Sequence, residues 1–178
     1  MTQPPYDPQM GPMTTRFAKL DPGPNDRFGV IGGLIAVLGT VLALIAFLAV
    51  NWFDDGGRSH FSDTHRAVEA LDSAGAANGL AVAFFGWLAW VSLIIVLAVA
   101  LLANVPNPLS GALRGIGFVL GLGGAALTFA SIKLSSGTLA GDTTTYGDYL
   151  KHAGTGFWLT VAGFVVMGIG AVIGPRRA

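Results

Sequence analysis

The chain has 178 residues, 52% of them apolar and only 11% charged, with a mean hydropathy of +0.62. Soluble domains average about 25% charged residues, and a water-soluble globule this poor in charge would expose large apolar patches, so an ordinary soluble enzyme is excluded. Ten Lys+Arg balance ten Asp+Glu, which argues against nucleic-acid binding, and the absence of cysteine excludes a disulfide framework, a thiolate metal site and a cysteine nucleophile.

Residues 1–27 hold six of the nine prolines (Pro4, Pro5, Pro8, Pro12, Pro22, Pro24) and few apolar side chains. That composition predicts a disordered, Pro-rich cytoplasmic tail. Pro5-Tyr6-Asp7-Pro8 has PxxP spacing, but no basic neighbours make it a docking peptide. Phe28 to Phe53 then carries no charge. A bilayer core of ~30 Å needs ~20 apolar residues at 1.5 Å each, which predicts a first span over 28–49. The long Pro-rich stretch before it, and the lack of an A-x-A site after Val50, argue against a cleaved signal.

An outer loop, 50–85, follows. It is expected to hold one short helix, capped by Asp63 or Ser62, with an apolar edge at Val68 and Leu71 and a stop at Gly75. The charge-free run Ser73 to Leu113 is too long for one span and ends in Asn104-Val105-Pro106-Asn107-Pro108, which places a second span over 86–104. A third span over 113–134, an outer loop over 135–155, a fourth span over 156–174 and a basic C-terminus, 176–178, complete the membrane domain, 28–175. Tyr146, Tyr149 and Lys151 suit a segment lying on headgroups. Short connections make neighbouring helices antiparallel. The expected fold class is an all-α integral membrane protein, with four transmembrane helices in an antiparallel bundle.

Four spans put both termini on one side, with Arg16, Lys19, Arg27, Arg114, Arg176 and Arg177. Arg58, Arg66 and Lys151 lie opposite, with Lys133 near a helix end. The positive-inside rule makes both termini cytoplasmic in a multi-pass plasma-membrane protein. Trp52, Trp87, Trp90 and Trp158 all fall at the outer interface, where indole is favoured. A one-sided belt is a small-sample effect or the imprint of something docked on that face.

Gly115-Ile116-Gly117-Phe118-Val119-Leu120-Gly121 and Gly168-Ile169-Gly170-Ala171-Val172-Ile173-Gly174 share GxGxxxG spacing. Neither has the strand, nor the acid ~20 residues on, of a dinucleotide fingerprint. They read as small-xxx-small packing faces. The expected helix-packing positions are Gly117, Gly121, Gly170 and Gly174, with Gly33 from Gly29-x3-Gly33 in the first span, beside Gly32, Ala36 and Thr40. The shared spacing favours pairing of spans three and four.

His60, His65 and His152 all sit in outer segments, so no intramembrane haem ligand exists. The five-residue step from His60 to His65 suits two ligands on one helix face poorly. Lys133 should snorkel at the outer interface. Within the spans the polar groups are Thr40, Ser92, Thr128, Ser131 and Thr160. Ion coupling ordinarily uses ionisable groups at depth. No catalytic, metal or cofactor site is expected.

The Pro-rich start, the Ala/Gly/Val-rich spans and the closing Gly174-Pro175-Arg176-Arg177 resemble small four-helix membrane proteins of actinobacteria. The most distinctive strings are Phe85-Gly86-Trp87-Leu88-Ala89-Trp90 and Lys151-His152-Ala153-Gly154-Thr155-Gly156-Phe157-Trp158-Leu159. The resemblance covers residues 28–175. It implies a plasma membrane beneath a complex envelope and names no activity. The expected function is a non-enzymatic accessory or assembly subunit of a larger envelope, transport or respiratory complex. Its partners would be membrane lipids and other membrane subunits, with no nucleic acid and with homo-oligomers possible. The alternative is a small homo-oligomeric channel or lipid-handling transporter. A third class is an enzyme subunit acting through Asp54, Asp55 and His60.

Overall fold

The computed structural model describes residues 29–54, 59–136 and 146–174. The expectations for the N-terminal tail, for residues 137–145 of the outer loop and for the basic C-terminus lie outside them, as do those for the side chains of Lys133, Tyr146 and Tyr149. The described chain runs α1 (Val30–Leu48), α2 (Phe61–Ser73), α3 (Gly79–Ala83), a π-turn (Phe84–Leu88), α4 (Ala89–Ala103), α5 (Ser110–Ser136), α6 (Tyr146–Lys151) and α7 (Thr155–Val172). Among the described residues four helical stretches are long and apolar enough to cross a membrane: Val30–Leu48, Gly79–Ala103, Ser110–Ile132 and Thr155–Val172. Among the described residues β-pairing is limited to isolated bridges, from Phe53 to Ser59 and to Ala153.

The second long helix begins at Gly79 rather than near residue 86. Asn78 caps it, its side-chain oxygen accepting from Leu80 N–H at 2.9 Å, so the early Ala and Gly residues are helical rather than loop. The π-turn follows at once, closed by Ala89 N–H donating to Phe84 O five residues back. A π-turn is wider than an α-turn and rotates successive residues less. Here two adjacent aromatics, Phe84 and Phe85, are both buried. At the far end Asn107 joins two helices. Its amide donates to Leu102 O and Val105 O, and its oxygen accepts from Leu109 N–H at 2.9 Å.

Helix α2 is amphipathic, burying Phe61, Thr64 and Val68 at helical spacing. Its N-cap is His60, not Ser62 or Asp63. Asp63 acts from inside the first turn, its carboxylate accepting from His60 N–H at 3.1 Å. The helix stops at Gly75, which has φ +69°. Gly75 N–H donates to Asp72 O and Ala76 N–H to Leu71 O, the paired bonds of a Schellman ending.

Helix α7 is the shared wall of the bundle. Its most extensive contact is with α1, the next with α5, and it also touches α4. Spans three and four of the sequence reading therefore do touch, but the larger interface is between the first and last. Contact positions fall along α7 as they rise along α1: Gly32 meets Gly170, and Gly39 meets Gly163. The faces turned away from neighbours are apolar, with Ile31, Leu34, Leu38 and Leu48 exposed on α1, Ile94 and Leu102 on α4, and Val119 on α5.

Candidate functional site: a glycine seam beneath an aromatic cap

The seam is set by where glycines fall on α7. Gly168 and Gly170 are two residues apart, about 200° around a 3.6-residue helix, so they face different neighbours. A Cβ built at Gly170 would lie 2.6 Å from Ala36 N and 2.7 Å from Gly32 O, both in α1. One at Gly163 would lie 2.7 Å from Gly39 O. On the α5 side, a Cβ at Gly121 would lie 2.7 Å from Gly168 Cα and 2.8 Å from Phe164 O. One at Gly117 would lie 2.7 Å from Ala171 Cβ. Such approaches are far inside van der Waals contact, so these helices meet backbone to backbone.

Gly174 does not continue the ridge of Gly170. It faces Ala103 O, at 3.0 Å from a built Cβ, and the Arg114 side chain. The remaining position, Gly33, is a correction: nothing lies within 4 Å of a Cβ there. Gly32, one residue earlier, holds the contact instead, because a 100° step per residue carries Gly33 off the face that meets α7. Sequence reasoning also missed Gly39, Gly124 and Gly163. For Gly39 and Gly163 the signal was present: Gly32-x6-Gly39 and Gly163-x6-Gly170 have the same seven-residue step, and the two ends of one meet the two ends of the other.

The hydroxyls inside the bundle are satisfied locally. Thr128 donates to Gly124 O, Ser131 to Thr128 O and Thr160 to Gly156 O, all within 2.9 Å. Thr40 donates to Ala36 O at 3.0 Å, with Met167 Sδ 3.2 Å away.

The cap closes one end. Residues 51–54 form a strap between Ser59 and the start of α7. Trp52 N–H donates to Ser59 O, Gly154 N–H to Trp52 O, Gly156 N–H to Asn51 O and Asp54 N–H to His152 O, all at 2.7–2.9 Å. Gly154 and Gly156 make room for it: a Cβ at either would meet Asn51 O within 2.9 Å.

Beneath the strap lies Trp52, fully buried. Phe61, Phe85, Phe47, Phe84 and Phe157 surround it at centroid distances of 5.1–6.3 Å. Its indole N–H donates to Ala46 O at 3.0 Å, near the end of α1. This corrects the expectation of an interfacial Trp52: its one polar atom finds an internal acceptor, so the whole ring is buried. Trp90 is half-buried, 5.1 Å from Phe47. Trp87 and Trp158 are 58% and 47% exposed, so these two alone of the four present a broad outward surface.

His65 lies 3.4 Å from Glu69 along α2, and no group of His, Asp and Glu able to hold a metal occurs among the described residues. Among the described residues the fold is all-helical with four candidate membrane-crossing helices, the pattern of a multi-pass membrane protein. In comparisons with protein-family models, curated proteins and solved structures, nothing matches the chain.

Proposed function

We propose that the chain is a plasma-membrane protein whose four long helices form an antiparallel bundle, with both termini cytoplasmic and the aromatic cap outside. It acts without catalysis, as an accessory or assembly subunit that binds other membrane subunits. The observation that carries this reading is the backbone contact along α7. Gly170 against Ala36 and Gly121 against Gly168 leave no lumen between those helices, and the buried hydroxyls of α5 and α7 donate within their own helices. A single copy so closed is a scaffold rather than a conduit. Its outward surface is apolar side chains facing lipid, with Trp87 and Trp158 at the cap end available to lipid or partner.

A second reading, a homo-oligomeric channel, is favoured by one feature. Gly115 and Gly123 on α5 face open space, where another helix has room to approach. Extraction in a mild detergent separates the two. A foreign subunit retained at fixed stoichiometry supports the accessory role. A homo-oligomer that conducts solute across liposomes supports the channel and overturns the first reading.

A further inference from the structure

Asn104 ends α4 and is 5% exposed. Its side-chain amide donates to Ala100 O in its own helix at 2.7 Å and to Gly170 O in α7 at 3.0 Å. Its backbone carbonyl accepts from Gly29 N–H, the N-cap of α1, at 2.9 Å. That bond joins a C-terminal carbonyl without an intrahelical donor to an N-terminal amide without an intrahelical acceptor. The amide cannot be turned over, because its oxygen would then face two carbonyl oxygens. The oxygen, buried and without a hydrogen-bond donor, points at Gly32, where a built Cβ would collide with it. One residue thus touches α1, α4 and α7 at the same level.

The small-residue faces it joins do not fix their own alignment. Gly32, Ala36, Thr40 and Ala43 repeat every three or four residues, and so do Gly163, Met167, Gly170 and Gly174. The one larger side chain in these rows is Met167, unbranched and able to repack, so the rows alone oppose a one-turn slip only weakly. A slip that set Met167 or Val166 at the level of Gly170 would put a larger side chain beside the Asn104 amide, where Gly170 now has none.

We propose that Asn104 is the register key of the bundle, fixing how far α7 slides along α1 and α4. A single buried Asn that sets register is an attested role for such residues. The proposal does not depend on whether the protein has a partner.

The test uses paired cysteines in the full-length, otherwise cysteine-free chain, oxidised in native membranes so that variants too weak for detergent still report. Thr40→Cys/Met167→Cys marks the observed register, since those side chains touch. Ala36→Cys/Met167→Cys marks the one-turn slip that would set Met167 where Gly170 stands. With Asn104 present, the first pair forms the disulfide and the second does not. In Asn104→Leu, and in the smaller Asn104→Ala should the Leu variant fail to accumulate, the first product falls and the second rises. If the first pair keeps its dominance, Asn104 is not the key. A fall in the first with no gain in the second also overturns the proposal, because it describes loosened helices rather than a shifted register.

Discussion

Gly170 of α7 presents its backbone directly to Ala36 of α1, so close that a methyl group added at Gly170 would sit 2.6 Å from the Ala36 nitrogen. The relation is reciprocal further along, where Gly163 and Gly39 exclude side chains from each other's backbone. In hydrocarbon, apolar side chains gain little by leaving lipid for one another, so van der Waals contact between backbones carries more of the association. The glycines of α1, α5 and α7 suit that constraint.

Substitution should reveal which glycines are in contact. Gly121→Leu forces its side chain into Gly168 and Phe164, and overpacking of this kind costs ~1–3 kcal/mol. Gly123→Leu, two residues on, enters open space and suits lipid. Thermal unfolding in detergent should show a clear drop in melting temperature for the first variant and none for the second.

Trp52 and Trp158 should behave oppositely although both lie at the cap end. Trp52→Ala empties a site enclosed by five phenylalanines and frees the Ala46 carbonyl, a change expected to cost ~3–5 kcal/mol. Trp158→Ala removes a ring that is 47% exposed and should cost well under half of that. Denaturant midpoints of the two variants measure the difference.

The ending of α2 depends on the left-handed backbone at Gly75, with φ +69°. Gly75→Ala places a Cβ where an L-residue is strained by ~1–2 kcal/mol. Hydrogen exchange should quicken in residues 61–76 and stay unchanged in the four long helices.

Membrane topology is read by impermeant maleimide in intact cells. Ser73 and Gly111 are both exposed and lie at opposite ends of the second long helix. Ser73→Cys should label from outside and Gly111→Cys should not. Labelling of Gly111→Cys alone would invert the orientation.

The long helices were legible because charge-free runs mark them directly; Phe28 to Phe53 encloses α1 with little to spare. Gly75 was legible as a stop because αL glycine is a local requirement. The start at Gly79 was not, since its cap is a single Asn78 bond inside an apolar run. Gly29-x3-Gly33 and the Gly32, Ala36, Thr40 row both satisfy a four-residue spacing, and only the partner helix decides which of them faces inward. Trp52 was read as interfacial from its position at a helix end. Its burial depends on the strap and on Phe61 and Phe157, which approach from distant parts of the chain.

The claim that backbone contact along α7 holds this fold together is tested most directly by one methyl group at each of two adjacent positions. Gly32→Ala drives a Cβ into the Asn104 side chain and to within 2.6 Å of Gly170 O, whereas Gly33→Ala meets nothing within 4 Å. Melting temperatures in the same detergent should fall for Gly32→Ala and stay level or rise for Gly33→Ala, since Ala favours helix over Gly by ~1 kcal/mol. Equal shifts in the two variants, or a loss confined to Gly33→Ala, would contradict the account.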